Sequence, residues 1–455
     1  MTRHRMAAGD AAWLHMDRRT NRMIVNSVMW FDEPLDWVAV RALLQARLID
    51  RFPRFSQRVV DSAGGVWWED DEPCDLERHL RYARLPEPGG QAELERYVSD
   101  RAGEPLARDL PLWEIHLIDG YRGNGSAVLS RIHHCVADGV ALAQVMLSLT
   151  DDPQESASVA VAAPHEAAGT RVVDGLEHLA GGMIDQLRHP TRLPGHVRDV
   201  VAITREVGRL VMMPPDTRSC LRGELGERKS VVWSEPYALR DISAAAHAGE
   251  ATVNDLLLTA VSGALRTHLA RHDGQAPDVR AVIPINLRPL DEPLPVELGN
   301  DFGLLFLQLP VSVDGSLARL AEMHKRTEQL KTSTEPVVSF AILDITGHTP
   351  YQAQQVFVEL FAAKASAVMT NVPGPQRPVF LAGRRVRGTM GWPPESGRIG
   401  LGVSIISYDG EVRLGLMTDD RLVRDPRRLL ADATAELDRL LTGLRAVASA
   451  GASAG

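Results

Sequence analysis

Residues 131–140, RIHHCVADGV, set adjacent histidines His133 and His134 before an Asp138–Gly139 pair, with three residues between. The pair raises the question of which histidine does chemistry, if either, and what the aspartate is for. Residues 126–134 alternate like an extended chain, and successive strand side chains point to opposite faces. One histidine therefore faces a cleft and the other belongs to its wall, and parity alone does not say which. Asp138 falls where a helix should begin. It reads either as an N-cap accepting a backbone N–H or as a buried carboxylate pairing with a basic group. A structural role is favoured over a triad role, because a carboxylate four residues past a histidine, across a strand-to-helix turn, is poorly placed to orient that ring.

Other chemistries fit less well. Neighbouring histidines suit one metal poorly, since a helical pair needs i, i+4 spacing and strand neighbours diverge. The chain has no HExxH and no second dense His/Asp/Glu run, so no metal is expected. Cys135 adjoins a histidine, but adjacency in sequence rarely gives the geometry of a thiolate–imidazole pair. GxSxG, P-loop and GxGxxG signatures are all missing from the sequence.

The elements that must position this motif alternate in type. Segments 21–32, 64–71, 111–121 and 125–134 read as strands, the last two flanking a hairpin-like RGNG turn. Segments 36–55 and 91–106 read as amphipathic helices, and a further helix is expected from Asp138 to Leu149. Residues 151–229 open on an Ala/Ser/Pro-rich stretch suited to a linker, followed by a helical pattern at 196–213. The apolar face of that pattern could dock on lipid, although packing against the protein's own core is favoured. Beyond 230, two helices are separated near Gly249, strands are expected at 278–288 and 303–311 and a helix at 316–333, and segments 367–375, 398–410 and 411–420 follow, ending in a helix at 426–445.

Length and composition bound the answer. The 455 residues exceed what one core usually supports, so two mixed α/β domains are expected. A net charge of −9 disfavours a nucleic-acid-binding surface. Cys74, Cys135 and Cys220 lack metal-ligand spacing, which suits free thiols in a reducing, cytoplasmic setting. The segment MTRHRMAAGDAAWLHMD has no continuous apolar core, so a secretory leader is not expected, and no run of about 18 apolar residues suggests a membrane span. Peripheral contact with a membrane or lipid inclusion stays open.

HHCVADG matches the HHxxxDG motif of the coenzyme-A-dependent acyltransferase superfamily, and further segments make the chain resemble its bacterial wax ester synthase/diacylglycerol acyltransferases. These are PLWEIHLIDG (111–120), TVNDLLLTAVSGALRTHL (252–269), PINLRP (284–289), LGN (298–300), TNVPGP (370–375) and SYDG (407–410). The likeness runs from about residue 7 to 443 and is weakest across 151–220. NDFGLLFLQLP departs from the polar segment commoner after Gly-Asn, which bears on acceptor preference.

The resemblance implies two chloramphenicol-acetyltransferase-like domains, residues 1–150 and 230–455, with a substrate tunnel at their interface and a crossover over 151–229. It implies acyl transfer from acyl-CoA, a co-substrate, to diacylglycerol or a long-chain alcohol, with no permanently bound cofactor. A carrier-protein donor or a non-lipid acceptor is the alternative, and oligomeric state is left open. His134 is then the base that later protonates the leaving thiolate, with His133 supporting it in the wall. Asp138 would pair with Arg288 across the domains, and Gly139 would keep the turn clear and offer its N–H to an oxyanion. Asn254 and Asp255 divide evenly between helix capping and a supporting role across the tunnel. Pro111, Leu112 and Trp113 are expected to pack in its wall. Asn300, Asn371, Pro373 and Gly374 are expected to line it, with 371–375 forming a tight turn.

Overall fold

A computed structural model describes residues 3–62, 65–71, 74–151, 208–210, 212–287, 295–331, 333, 335–336, 339, 358–395 and 397–454. The first half carries β1 (Arg3–Arg5), α1 (Ala8–Met16), β2 (Ile24–Phe31), α2 (Trp37–Leu44), β3 (Gln57–Ser62) and β4 (Gly65–Asp70). It continues through β5 (Leu80–Arg84), α3 (Gln91–Ala102), β6 (Trp113–Tyr121), β7 (Gly125–His133) and α4 (Gly139–Ser148). The second half opens with β8 (Lys229–Trp233), β9 (Tyr237–Ala238), α5 (Leu239–Ala248), α6 (Val253–Asp273), β10 (Val279–Asn286) and β11 (Phe302–Leu309). Then come α7 (Ser316–Leu330), β12 (Ala367–Pro373), β13 (Phe380–Leu381), β14 (Arg384–Arg385), β15 (Gly388–Trp392), β16 (Leu401–Tyr408), β17 (Glu411–Asp419) and α8 (Pro426–Ala454).

Two large sheets organise these elements. One runs β15-β2-β7-β6-β5, and the other β11-β10-β12-β16-β17-β8 with β9 also on β17. β7 is buried along its whole length. Its alternation sends Val128 and Ile132 into a core with α1, α2 and α4, and Ala127 and Leu129 into a second core. That second core also takes Trp233, Met390, Trp392 and Met417, so it joins the two halves of the chain. The opposite face of the larger sheet is covered by α6 and α8, whose leucines form a third core. Burying each such side chain contributes about 1.5–3 kcal/mol, enough to hold the sheets in register.

The division in space differs from the division in sequence. β15 lies late in the chain yet pairs antiparallel with β2, from Gly388 opposite Trp30 to Trp392 opposite Asn26. Its neighbours must come close. A Cβ on Gly388 would meet Trp30 at 2.2 Å, and one on Gly415 of β17 would meet Met390 at 2.3 Å.

Two expectations change in the structure. The helix expected over 36–55 stops at Leu44 and passes through a π turn, Gln45–Ile49, to a short 3₁₀ turn, Pro53–Ser56. Pro53 cannot donate to a continuing helix, and Phe52 before it is extended at φ −121, ψ 100. The turn expected over 371–375 is instead strand as far as Pro373, because β12 pairs in parallel with β16 from Val368 to Pro373. β10 reaches only Ala367 and Val368, so Pro373 stands where that side of the strand has no ladder to break. The linker stretch 152–207 and most of the helical pattern at 196–213 lie outside the described residues.

Candidate active site

β7 ends at His133, and β6 and β2 fasten its end. The His133 N–H donates to Leu112 O at 2.9 Å and the His134 N–H to Met23 O at 2.7 Å. The two rings then part. His133, 1% exposed, accepts the Cys135 N–H on Nδ1 at 3.1 Å, which leaves Nε2–H to donate to Asp17 at 3.2 Å. Burial holds its pKa below the ordinary value, so it is a neutral donor. Asp17 is buried as well, yet the hydrogen bonds from His133 and Arg22 and the charge of Arg108 outweigh that burial and keep it ionised.

His134 faces the other way. Its ring stacks on Trp13 at 4.3 Å between centroids, 27° off parallel, and Phe302 closes a second side at 5.5 Å. Only 6% of the residue stays exposed, and Nδ1 is buried without a well-formed hydrogen bond. Nε2 is thus the nitrogen on the accessible edge. Burial lowers the His134 pKa to about 4, so the imidazole is the free base at neutral pH.

Asp138 caps α4: its Oδ1 accepts the Ala141 N–H at 2.8 Å and its Oδ2 the Asp301 N–H at 3.1 Å. The Asp138 N–H donates to Gly299 O at 3.4 Å, and Asn300 Nδ2 donates to His134 O at 2.8 Å. Gly299–Asp301, from the second half, therefore grip the histidine loop through its backbone. Arg288, the expected partner of Asp138, lies outside the described residues. Gly139 opens α4 on an exposed face, where a Cβ would meet nothing within 4 Å. Cys135 is fully buried, and burial pushes its thiol far above the ordinary value, which leaves no thiolate for nucleophilic work.

The remaining candidates divide by place. Leu112 and Trp113 are buried beneath the motif; the Trp113 ring stacks on His79 at 4.1 Å and its Nε1 donates to Phe55 O at 2.8 Å, while Pro111 O accepts the Trp113 N–H. Asp255 forms a capping box with Thr252 and accepts hydrogen bonds from His324 at 2.8 Å and Thr327 at 2.6 Å, so it joins α6 to α7. Asn254 accepts from Asn371 at 3.2 Å, linking α6 to β12. Gly374 follows at the end of β12, where its N–H reaches Ser407 O at 2.8 Å and a Cβ would lie 2.4 Å from that oxygen. Among the described residues, no hydrogen bond or ring contact joins Asn254, Asp255, Asn371, Pro373 or Gly374 to His134.

Sequence reasoning passed over α1. Asp10, Trp13 and Asp17 are spaced three and four apart, which puts them on one helical face. Trp13 covers His134 and Asp17 holds His133, one turn further on. Asp10 accepts from Asn300 at 2.8 Å, and burial raises its pKa to about 6. The spacing was the only available signal, and it sits in a segment short enough to be read merely for the lack of a leader.

Comparison with known proteins agrees along the chain. Residues 6–257 match the wax ester synthase/diacylglycerol acyltransferase catalytic domain as a family, and residues 298–441 match the WS/DGAT C-terminal domain. A Mycobacterium tuberculosis protein named for diacylglycerol O-acyltransferase activity is 28% identical over 387 residues, covering 81% of this chain and 80% of that protein. M. tuberculosis tgs1, named for the same activity, is 26% identical over 84% of both chains. The solved wax ester synthase/diacylglycerol acyltransferase of Marinobacter aquaeolei VT8 superposes with a TM-score of 0.70 at 23% identity, over 97% of this chain and 99% of that one. The first condensation domain of the calcium-dependent antibiotic synthetase shares the fold at a TM-score of 0.57 and 18% identity, over 97% and 95%.

Proposed function

The chain belongs to the wax ester synthase/diacylglycerol acyltransferase family, and from that premise we propose how its histidine site works. The protein is an acyltransferase that forms triacylglycerol or wax ester from acyl-CoA and a hydroxyl acceptor, diacylglycerol or a long-chain alcohol. His134 acts as the general base. Its neutral, water-poor imidazole takes the acceptor's proton on Nε2 as the acceptor oxygen bonds to the thioester carbonyl carbon. The tetrahedral intermediate collapses with cleavage of the C–S bond, and the imidazolium returns the proton to sulfur, releasing ester and free coenzyme A thiol. No covalent acyl-enzyme is required, in keeping with the deeply buried, protonated Cys135.

A pKa near 4 makes His134 a weak base in the resting site. The same dry surroundings strengthen the attraction between imidazolium and developing oxyanion, so proton transfer and C–O bond formation proceed together. The open face at Gly139, on the positive N-terminal end of α4, is where the oxyanion would lie. His133, Asp17, Asn300 and Asp138 position the loop and do not touch substrate. No described helix is long and apolar enough to cross a membrane. We place the enzyme in the cytoplasm, meeting its lipid acceptor through peripheral contact, as its acyl-CoA donor requires.

The observation that carries this reading is a neutral histidine with one accessible nitrogen between two aromatic rings. The test is turnover of long-chain acyl-CoA with diacylglycerol or hexadecanol by wild-type protein and by a folded His134→Ala variant. Loss of about two to four orders of magnitude in the variant is expected, and equal turnover would remove His134 from the chemistry.

A further inference from the structure

On the far side of the larger sheet, α6 carries two histidines one turn apart, His268 and His272, near its C-terminal end. Their rings lie 4.3 Å apart, and Cys220, from the segment leading into β8, completes a group whose ligand atoms all fall within 4.8 Å of one another. His268 is 4% exposed, and its Nε2 is buried with no hydrogen-bond partner. An inward-facing imidazole nitrogen left unpaired carries a desolvation cost that a ligand would remove. His272 is arranged in the complementary way: its Nδ1 lies 2.8 Å from His268 O, which makes Nδ1 the donor and leaves Nε2 as the nitrogen a ligand would meet. A backbone carbonyl fixing one ring nitrogen so that the other binds metal is a recurrent device of metal sites. Cys220 is a free thiol, and Asp273 anchors its loop by accepting the Cys220 N–H at 2.8 Å.

We propose that Cys220, His268 and His272 form a binding site for a divalent transition metal, Zn²⁺ by preference, that fastens the segment entering β8 to helix α6. One thiolate and two imidazoles are a borderline-soft donor set, which suits Zn²⁺ or Co²⁺ and excludes Mg²⁺ and Ca²⁺. Tetrahedral bonds of about 2.0–2.3 Å require the three ligand atoms to draw in by roughly 1 Å, within reach of small side-chain rotations. The electrostatics agree. Burial lowers the His268 pKa to about 4, so it is already neutral and needs no proton removed. Burial and the Asp273 carboxylate push the Cys220 thiol up to about 12. A dication reverses that balance, because thiolate and carboxylate together then neutralise it.

The experiment uses the full, untagged chain stripped of metal, titrated with Co²⁺ and then Zn²⁺. Expected are one Co²⁺ per chain with a near-ultraviolet thiolate-to-cobalt band, displacement of that ion by Zn²⁺, and a higher unfolding temperature with Zn²⁺. Cys220→Ser should abolish the band and the thermal shift, and His268→Gln should weaken binding at least about 100-fold, as even outer partners of metal ligands carry 10- to 100-fold. His272→Gln, at an exposed position, should do the same without threatening the fold. Co²⁺ binding without the thiolate band, unchanged affinity in His272→Gln, or no binding to wild-type protein would each overturn the site.

Discussion

Replacing Trp13 by alanine should make His134 easier to protonate. The ring covers one face of the imidazole at 4.3 Å and helps hold the pKa near 4 in place of the ordinary 6.5. That difference of about 2.5 pH units corresponds to about 3.4 kcal/mol against the imidazolium. Two effects of the indole oppose each other. Its bulk excludes water and disfavours the cation, whereas its π face attracts a cation by about 0.5–2 kcal/mol. Burial is the leading cause of the low value, so its loss should outweigh the lost π attraction. Trp13→Ala should raise the pKa by about one to two units as water reaches the ring, and Trp13→Phe should leave it close to 4. The assay is kcat/KM against pH, whose acid limb reports the base of the free enzyme. The wild-type limb should fall near pH 4, and that of Trp13→Ala between 5 and 6. An acid limb that stays in place or moves lower in a folded Trp13→Ala protein would refute the idea that exclusion of water by the indole outweighs its π attraction.

Further outcomes follow from the same geometry. His133→Ala should lower kcat less than His134→Ala but cost more stability, since it leaves Asp17 buried beside a cavity; thermal melts beside turnover separate the two. Asp138→Ala removes the α4 cap and the anchor for Asp301, and denaturant unfolding should show a loss of about 2–4 kcal/mol. A folded variant of unchanged stability would remove the cap from the architecture. Glu395 is fully buried beside Lys229 at 3.1 Å, and burial, against the pull of Lys229, raises its pKa from 4.5 to about 7. The native state thus holds a proton that the unfolded chain releases above 4.5, and this contribution is present at low pH and is lost as pH rises through about 7. Glu395→Gln should accordingly melt higher than wild type at pH 8 and no higher at pH 5, and the opposite order would show that the buried carboxylate is held charged.

Much of the site was legible because its signals are local. The strand parity across 126–134, the hairpin turn and the helix start at Asp138 all depend on neighbours within a few residues, and β7, β6 and α4 form where those patterns lie. Thr252 and Asp255 likewise carry their capping box in a spacing of three residues. The departures have non-local causes. Asn371–Pro373 carry turn-forming residues, yet pairing with β16 holds them extended. His268 and His272 stand i, i+4 on a helix, but nothing in the sequence brings Cys220 to them.

The sequence by itself determined the motif, its strand-to-helix setting and the opposite facing of the two histidines, because side-chain alternation is a property of the backbone. The family likeness added which of the two would meet substrate. Only the tertiary structure decided the environment that sets their chemistry. α1 arrives with Trp13 for one ring and Asp17 for the other, and Gly299–Asp301 arrive from the second half to hold the loop. A proton affinity depends on which groups and how much water surround a ring, and segments more than a hundred residues apart supply those surroundings only once the chain has folded.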